Sequence, residues 1–147
     1  MEILNQFQIN ENIFTSGQPD EIQIKEMASK GYKVVINLAM PDHENSISSE
    51  GSIVTSHGMT YIHIPVPFDA PKLDHLKTFS DIMDIFKDKK VWVHCIVNAR
   101  VSAFLFCYLQ NNRDYTAKKA STSFFIEWLP KMNDVWKQFI NYAPNQL

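Results

Sequence analysis

The stretch from Val91 to Ser102 places a cysteine and an arginine where both could act on one anion. Cys95 follows a β-branched and aromatic run ending in His94, and four residues separate it from Arg100, where an apolar helical pattern begins. A loop joining a strand to a helix directs backbone N–H groups and partial positive charge at one point. Those dipoles would stabilise a thiolate at Cys95, and the Arg100 guanidinium would bind two oxygens of a phosphate or similar group. The spacing predicts a nucleophile and an anion clamp on one loop.

This pattern resembles the signature of cysteine-dependent phosphatases, the protein tyrosine and dual-specificity group, in which His-Cys precedes Arg and Ser at the head of a helix. Those enzymes have one residue more between cysteine and arginine, so Val101 stands at the usual arginine position. Ser102 stands at the same number of residues after Cys95 as the serine of those enzymes, and Asn98 stands where they usually have a glycine. Asparagine tolerates a left-handed φ better than most residues, so the loop can still close.

The shorter spacing also occurs in rhodanese sulfurtransferases and in a bacterial phosphatase-like family known from a beta-lactamase-hydrolase-like protein. The chain resembles this bacterial family best, because its members also tend to contain Ser-Gly-Gln-Pro near the start and a Val-Ile-Asn-Leu strand. Ser16 to Pro19 and Val35 to Leu38 match these two stretches. The resemblance extends to about Leu109 and raises the expectation that Ser16 to Pro19 borders the site.

The resemblance implies a hydrolase of phosphomonoesters, similar to protein tyrosine phosphatases, that forms a cysteinyl-phosphate. Cys95 would attack phosphorus, His94 would organise the loop behind it, and Ser102 would donate to its sulfur as the thiolate leaves. The residues expected to bind phosphate are Ile96, Val97, Asn98, Ala99, Arg100 and Ser102. This chemistry needs no metal or other cofactor, and the histidines and cysteines lack metal-ligand spacing.

Asp69 is the first candidate for the acid that protonates the leaving oxygen. It is the carboxylate of Pro65 to Pro71, a stretch whose three prolines favour a stiff loop after a strand. The alternative is that Asp69 only forms a turn or caps the next helix. Asp42 or Glu44, in the polar loop from Ala39 to Asn45, is the next candidate.

Three other interpretations of Cys95 stay open. A rhodanese-like sulfurtransferase would carry a persulfide on Cys95. A shorter loop encloses a smaller binding site, which suits sulfur better than phosphate. A phosphate-binding or partner-binding domain would keep the cysteine without turnover. In the simplest case Cys95 is a buried cysteine at a strand end and Arg100 a surface cation.

The rest of the chain predicts how this loop is held. Alternating strand and helix patterns indicate a three-layer α/β domain, cysteine-phosphatase-like, with a mostly parallel central sheet of roughly four or five strands and helices on both faces. Cys95 would lie at the C-terminal edge of a central strand. Predicted strands are Phe7 to Ile9 and Ile13 to Thr15 as an edge hairpin, Lys33 to Leu38, Tyr61 to Ile64, and Val91 to His94. Predicted helices run from Pro19 to Gly31, Ser46 to His57, Leu73 to Phe86, Val101 to Asn112, Tyr115 to Leu129, and Pro130 to Tyr142.

Length, charge and composition narrow the possible classes of function further. A chain of 147 residues is expected to form a single domain over residues 1–147. Its formal charge of −2 gives no basic surface for nucleic acid, and no apolar run reaches membrane-spanning length. The N-terminus does not resemble a signal peptide, and two cysteines suit a reducing compartment, so we expect a cytoplasmic protein whose partner is a phosphorylated substrate.

Overall fold

A five-stranded sheet forms the centre of the computed structural model, which describes residues 2–147. The strands are β1 (Phe7–Gln8), β2 (Ile13–Ser16), β3 (Val34–Asn37), β4 (Thr60–His63) and β5 (Val91–His94). They lie in the order β1-β2-β5-β3-β4. β1 pairs antiparallel with β2, and the three other pairs are parallel. The predicted hairpin and mostly parallel sheet are confirmed.

Helices cover both faces of the sheet, which confirms the three-layer arrangement. They are α1 (Glu21–Ser29), α2 (Glu50–Ser56), α3 (Leu73–Ile85), α4 (Ala99–Arg113), α5 (Ser123–Trp128) and α6 (Asp134–Phe139), with single 3-10 turns at Leu129–Lys131 and Ile140–Tyr142. α1 and α2 contact each other and share one buried cluster. α3, α4, α5 and α6 contribute to the other, larger cluster.

Alternation along the strands divides the core between the two faces. Val35 and Trp92 belong to the cluster under α1 and α2, whereas Ile36 and Val93 belong to the cluster under α4. Successive strand side chains point to opposite faces, and both sets are buried here. This explains why β3 and β5 have continuous rather than alternating apolar sequences.

The first two helices begin later than predicted, and polar caps explain one of these differences. α1 begins at Glu21 rather than Pro19, because the Asp20 carboxylate accepts the Gln23 N–H at 2.8 Å and the Gln23 side chain accepts the Asp20 N–H at 2.9 Å. Ile22, in the first turn of α1, is 73% exposed. α2 begins at Glu50 rather than Ser46.

The C-terminal region is less helical than predicted. Helix α5 begins only at Ser123, because the Thr122 hydroxyl accepts the Phe125 N–H at 3.1 Å and stops the helix from extending upstream. Residues 115–122 before it are not helical, and residues 117–120 among them form a turn. The 3-10 turn that separates α5 from α6 contains Pro130.

The sheet order puts β5 between β2 and β3, so Cys95 follows a central strand at its C-terminal end, as predicted. In α/β folds this edge is where ligands bind. Within residues 2–147, no helix combines the length and the apolar character needed to cross a bilayer.

Candidate active site

The loop from Cys95 to Asn98 joins β5 to α4 and directs a series of backbone donors to one place. Within residues 2–147, the N–H groups of Ile96 through Val101 donate to no protein acceptor. The next one, at Ser102, donates to the Asn98 carbonyl at 3.1 Å and begins the regular helix. Consecutive unpaired N–H groups at a helix start form an anion-binding concavity.

Asn98 closes this loop in the left-handed conformation, with φ of 73° and ψ of 11°. Its fully buried side chain donates to the Asn5 carbonyl at 2.7 Å and to the Thr15 hydroxyl at 3.1 Å. These bonds anchor the loop to β2 and to the N-terminal segment. The left-handed backbone at Asn98 lets α4 begin at Ala99, two residues before the predicted start.

The Ser16 to Pro19 stretch lies directly against the loop. A Cβ at Gly17 would sit 2.5 Å from the Ile96 carbonyl oxygen, so any larger residue would displace the loop. The Gln18 N–H donates to that same oxygen at 2.9 Å. The Ser16 hydroxyl accepts the Trp92 indole N–H at 2.9 Å. A cavity lined in part by Gln18, Pro19 and Ile96 shows that the stretch borders the loop surface.

His94 contacts the loop from behind and is paired with a buried carboxylate. Its Nδ1 donates to the Cys95 carbonyl at 3.0 Å, and its Nε2 lies 2.5 Å from Glu50 Oε2. A carbonyl only accepts, so a proton must be on Nδ1. Burial acts to raise the pKa of Glu50, but the hydrogen bond and charge of His94 and a hydrogen bond from Gln18 lower it overall. Glu50 is therefore described as a carboxylate that accepts a hydrogen bond from His94 Nε2.

Arg100 is buried and lines a cavity of about 500 Å³. Its Nη1 donates to the Val66 carbonyl at 2.9 Å, and its guanidinium carbon lies 5.6 Å from the centre of the Phe68 ring. Its Nε has no partner among residues 2–147. The residues lining the cavity are Met40, Asp42, His43, Phe68, Ile96, Val97 and Arg100. The cysteine loop thus meets the loops after β3 and β4 at this cavity.

Cys95 and Ser102 are both buried at the loop. Cys95 is a free thiol with 0% exposure, and its N–H donates to the Ser16 carbonyl at 3.4 Å. The Ser102 hydroxyl donates to the Ala99 carbonyl at 2.8 Å, not to the sulfur. A donation from Ser102 to a thiolate would therefore require its hydroxyl to rotate away from Ala99.

The candidate acids are placed differently. Asp69 is exposed, in a turn closed by the Ala70 N–H donating to the Pro67 carbonyl at 3.1 Å, and its neighbour Phe68 lines the cavity. Asp42 lines the cavity itself. Glu44 is exposed on the same loop as Asp42 and is not among the residues that line it.

Sequence reasoning missed Glu50 and the side chain of Gln18. The two are joined by a hydrogen bond of 2.8 Å from Gln18 Nε2 to Glu50 Oε1. One signal for Glu50 was available, since it precedes Ile53 and Val54 by three and four residues and so shares their inward helix face. An acidic residue on an apolar face indicates a buried partner. Among residues 2–147, no group of three potential metal ligands is close enough to hold an ion.

Comparisons with known proteins agree with this geometry. Residues 4–134 match the family model PTP-NADK, described as DSP-PTPase phosphatase fused to NAD+ kinase. A DUF442 protein from Shewanella putrefaciens CN-32 is 30% identical, with 95% of this chain and 90% of that chain covered and a TM-score of 0.85. No curated protein matches the chain.

Two more distant solved structures share the fold. TpbA from P. aeruginosa, in complex with pTyr, is 12% identical, with 95% of this chain and 85% of that chain covered and a TM-score of 0.74. The core catalytic domain of the PP-IP phosphatase SIW14 from S. cerevisiae is 14% identical, with 100% and 99% covered and a TM-score of 0.71. These similarities extend over nearly the whole chain.

Proposed function

This chain belongs to the PTP-NADK family of DSP-PTPase-like phosphatases, and we propose that it hydrolyses phosphomonoesters through a cysteinyl-phosphate on Cys95. The observation that carries the proposal is the run of unpaired N–H groups from Ile96 through Val101, directly after Cys95. Such a run binds the oxygens of a phosphoryl group and stabilises the charge that develops on them. The shorter spacing to Arg100 does not remove this feature.

In the proposed reaction, the Cys95 thiolate attacks phosphorus and the ester oxygen leaves. The loop N–H groups and the Arg100 guanidinium hold the phosphoryl oxygens during the transfer. Water then attacks the cysteinyl-phosphate, which releases inorganic phosphate and regenerates the thiolate. His94, one residue before Cys95, donates to the Cys95 carbonyl and so holds the start of the loop in place during the reaction.

The first test compares wild type with Cys95→Ser on p-nitrophenyl phosphate, with Cys107→Ser as a matched control. We expect Cys95→Ser to lose more than about 10³-fold in kcat/KM, because a serine hydroxyl is a much weaker nucleophile here. Cys107→Ser should keep its activity, since Cys107 lies in the core. Equal activity of wild type and Cys95→Ser would rule out the cysteinyl-phosphate.

The same preparations decide between the alternatives. Sulfur transfer from thiosulfate to cyanide, with no phosphate release, would identify a rhodanese-like sulfurtransferase that carries a persulfide on Cys95. Binding of inorganic phosphate without either activity would identify a phosphate-binding domain.

We propose Asp69 as the acid for the leaving oxygen, with Asp42 as the alternative because it lines the cavity. Loss of the acid matters most for a poor leaving group, which needs its proton. We expect Asp69→Asn to lose roughly 10²-fold in kcat/KM on phenyl phosphate and much less on p-nitrophenyl phosphate. If Asp42→Asn shows this leaving-group dependence instead, the acid is Asp42.

We also propose a cytoplasmic location, supported by the two free thiols at Cys95 and Cys107, which suit a reducing compartment. Fractionation of the host cells, followed by detection with an antibody, tests this. Recovery in an oxidising extracellular or periplasmic fraction would contradict it.

A further inference from the structure

A closed chain of hydrogen bonds connects the first two carbonyl groups of the cysteine loop through side chains that lie behind it. His94 Nδ1 donates to the Cys95 carbonyl at 3.0 Å, and His94 Nε2 donates to Glu50 Oε2 at 2.5 Å. Gln18 Nε2 donates to Glu50 Oε1 at 2.8 Å. The ring closes where the Gln18 N–H donates to the Ile96 carbonyl at 2.9 Å.

This ring fixes the direction of two peptide planes. Peptide bonds are planar, and residues 2–147 contain no cis bond, so each carbonyl points opposite to the N–H of the next residue. Holding the Cys95 and Ile96 carbonyls on the side of Glu50 therefore directs the N–H groups of Ile96 and Val97 to the other side. Those are the first two unpaired donors of the anion-binding run.

Glu50 is a buried carboxylate whose hydrogen bonds to His94 and Gln18 lead to the cysteine loop. It is 1% exposed and starts helix α2, whose Val54 packs in the core beneath it. A buried ion pair often stabilises a fold no better than apolar side chains of similar volume. Both of its carboxylate oxygens are used, and both lead to a carbonyl of the cysteine loop.

We propose that Glu50 and Gln18 are positioning residues that hold the Cys95 and Ile96 carbonyls away from the cavity and thereby aim the loop N–H groups at phosphate. The inference deepens the proposed function and rests on it. Neither side chain is expected to contact the substrate, because each acts through His94 or through the loop backbone.

Three variants separate positioning from charge and from general loosening of the fold. Glu50→Ala opens the ring. Glu50→Gln keeps it, because a glutamine amide can donate to neutral His94 Nε2 while its oxygen still accepts from Gln18. Val54→Ala is the matched control, since it weakens the core packing of the same helix without touching the ring.

The experiment measures binding of inorganic phosphate by calorimetry and kcat/KM on p-nitrophenyl phosphate, with thermal unfolding recorded for every variant. Glu50→Ala should bind phosphate about tenfold more weakly and lose roughly 10²-fold in kcat/KM, as expected when supporting residues are removed. Glu50→Gln should stay within about threefold of wild type in phosphate affinity, and Gln18→Leu should fall between these two variants. Val54→Ala should lower the melting temperature and leave phosphate affinity unchanged.

Three results would overturn the inference: Glu50→Ala binding phosphate like wild type, Glu50→Gln losing as much affinity as Glu50→Ala, or Val54→Ala losing as much as either. The second result would mean that charge, not peptide orientation, is what Glu50 supplies. If wild type binds phosphate but does not hydrolyse the ester, the proposed function fails while the ring is still tested by binding. If wild type does neither, both fail.

Discussion

The two cysteines of this chain lie close to the same helix and are equally inaccessible, yet their surroundings differ. Cys95 precedes the N-terminal end of α4, and Cys107 lies in its middle; both are free thiols with 0% exposure. Burial raises the pKa of Cys107 to about 12, against the opposing effect of a backbone hydrogen bond from Ala143. Burial by itself therefore does not prepare a thiol for chemistry.

What distinguishes the two positions is the state of the backbone around them. In the middle of a helix every N–H group already donates to a carbonyl of the preceding turn, so the backbone of α4 offers Cys107 no free donor to stabilise a charge. At the helix start the first N–H groups have no partner in the helix. The loop after Cys95 extends this run of donors and adds Arg100, which lines the cavity.

Among the changes that test this comparison without removing the cysteine, replacing Arg100 by lysine should have the largest effect, because it removes the fixed guanidinium fork from the N-terminal end of α4. Lysine keeps the charge but cannot bind two phosphoryl oxygens and the Val66 carbonyl with one planar group. We expect Arg100→Lys to lower kcat/KM on p-nitrophenyl phosphate by about 10²-fold.

Arg113, in the last turn of the same helix, provides the matched control. It donates to the Tyr108 hydroxyl at 2.7 Å and lies 5.4 Å from the centre of that ring, so it also combines a hydrogen bond with an aromatic contact. Arg113→Lys should leave kcat/KM unchanged. Equal losses of kcat/KM in Arg100→Lys and Arg113→Lys would mean that Arg100 only stabilises α4 and does not bind phosphate.

Reaction with iodoacetamide should distinguish the two thiols directly. We expect Cys95 to be alkylated at least about tenfold faster than Cys107 in the folded protein, because unpaired N–H groups and a helix start follow Cys95, whereas Cys107 lies inside the helix. Peptide mass spectrometry after timed quenching measures both rates at once. Inorganic phosphate should slow the reaction at Cys95 and leave Cys107 unaffected.

The comparison of the two cysteines would fail if both thiols reacted at the same rate. It would also fail if phosphate gave no protection at Cys95. Alkylation of the unfolded protein in denaturant provides the reference, since both thiols should then react alike.

The sequence could predict the parts of this site that depend on neighbouring residues. The apolar run before Cys95, the short connection to Arg100 and the left-handed tolerance of Asn98 are local properties, and they led to the strand, the loop and the helix in their observed order. The edge hairpin followed from two short strand patterns around a turn, and the central place of β5 followed from alternation of strands and helices.

The supporting residues could not be predicted in the same way. Glu50 is 44 residues from His94 and 32 from Gln18, so their contacts depend on how α2 packs against the sheet. A helix pattern shows that Glu50 faces inward but not what it meets there. The positions of Asp69 and Asp42 likewise depend on how two loops meet at the cavity.

The smallest expected effect concerns stability at high pH and tests the environment of Cys107. Its pKa is raised to about 12 in the folded protein, from an ordinary value of 9.0. The resulting stabilisation is complete below pH 9 and is lost as pH rises toward 12, because only the unfolded chain then releases the proton.

Denaturant unfolding of wild type and Cys107→Ala, in the presence of reductant, should show that the difference in free energy of unfolding between the two proteins shrinks by about 1 kcal/mol between pH 8 and pH 10. The tyrosines Tyr61 and Tyr108, whose pKa values are also raised to about 12, contribute equally to both proteins and cancel in this difference. A pH-independent difference would mean that the Cys107 thiolate is as well stabilised in the core as in water, and the contrast with Cys95 would then rest on reactivity alone.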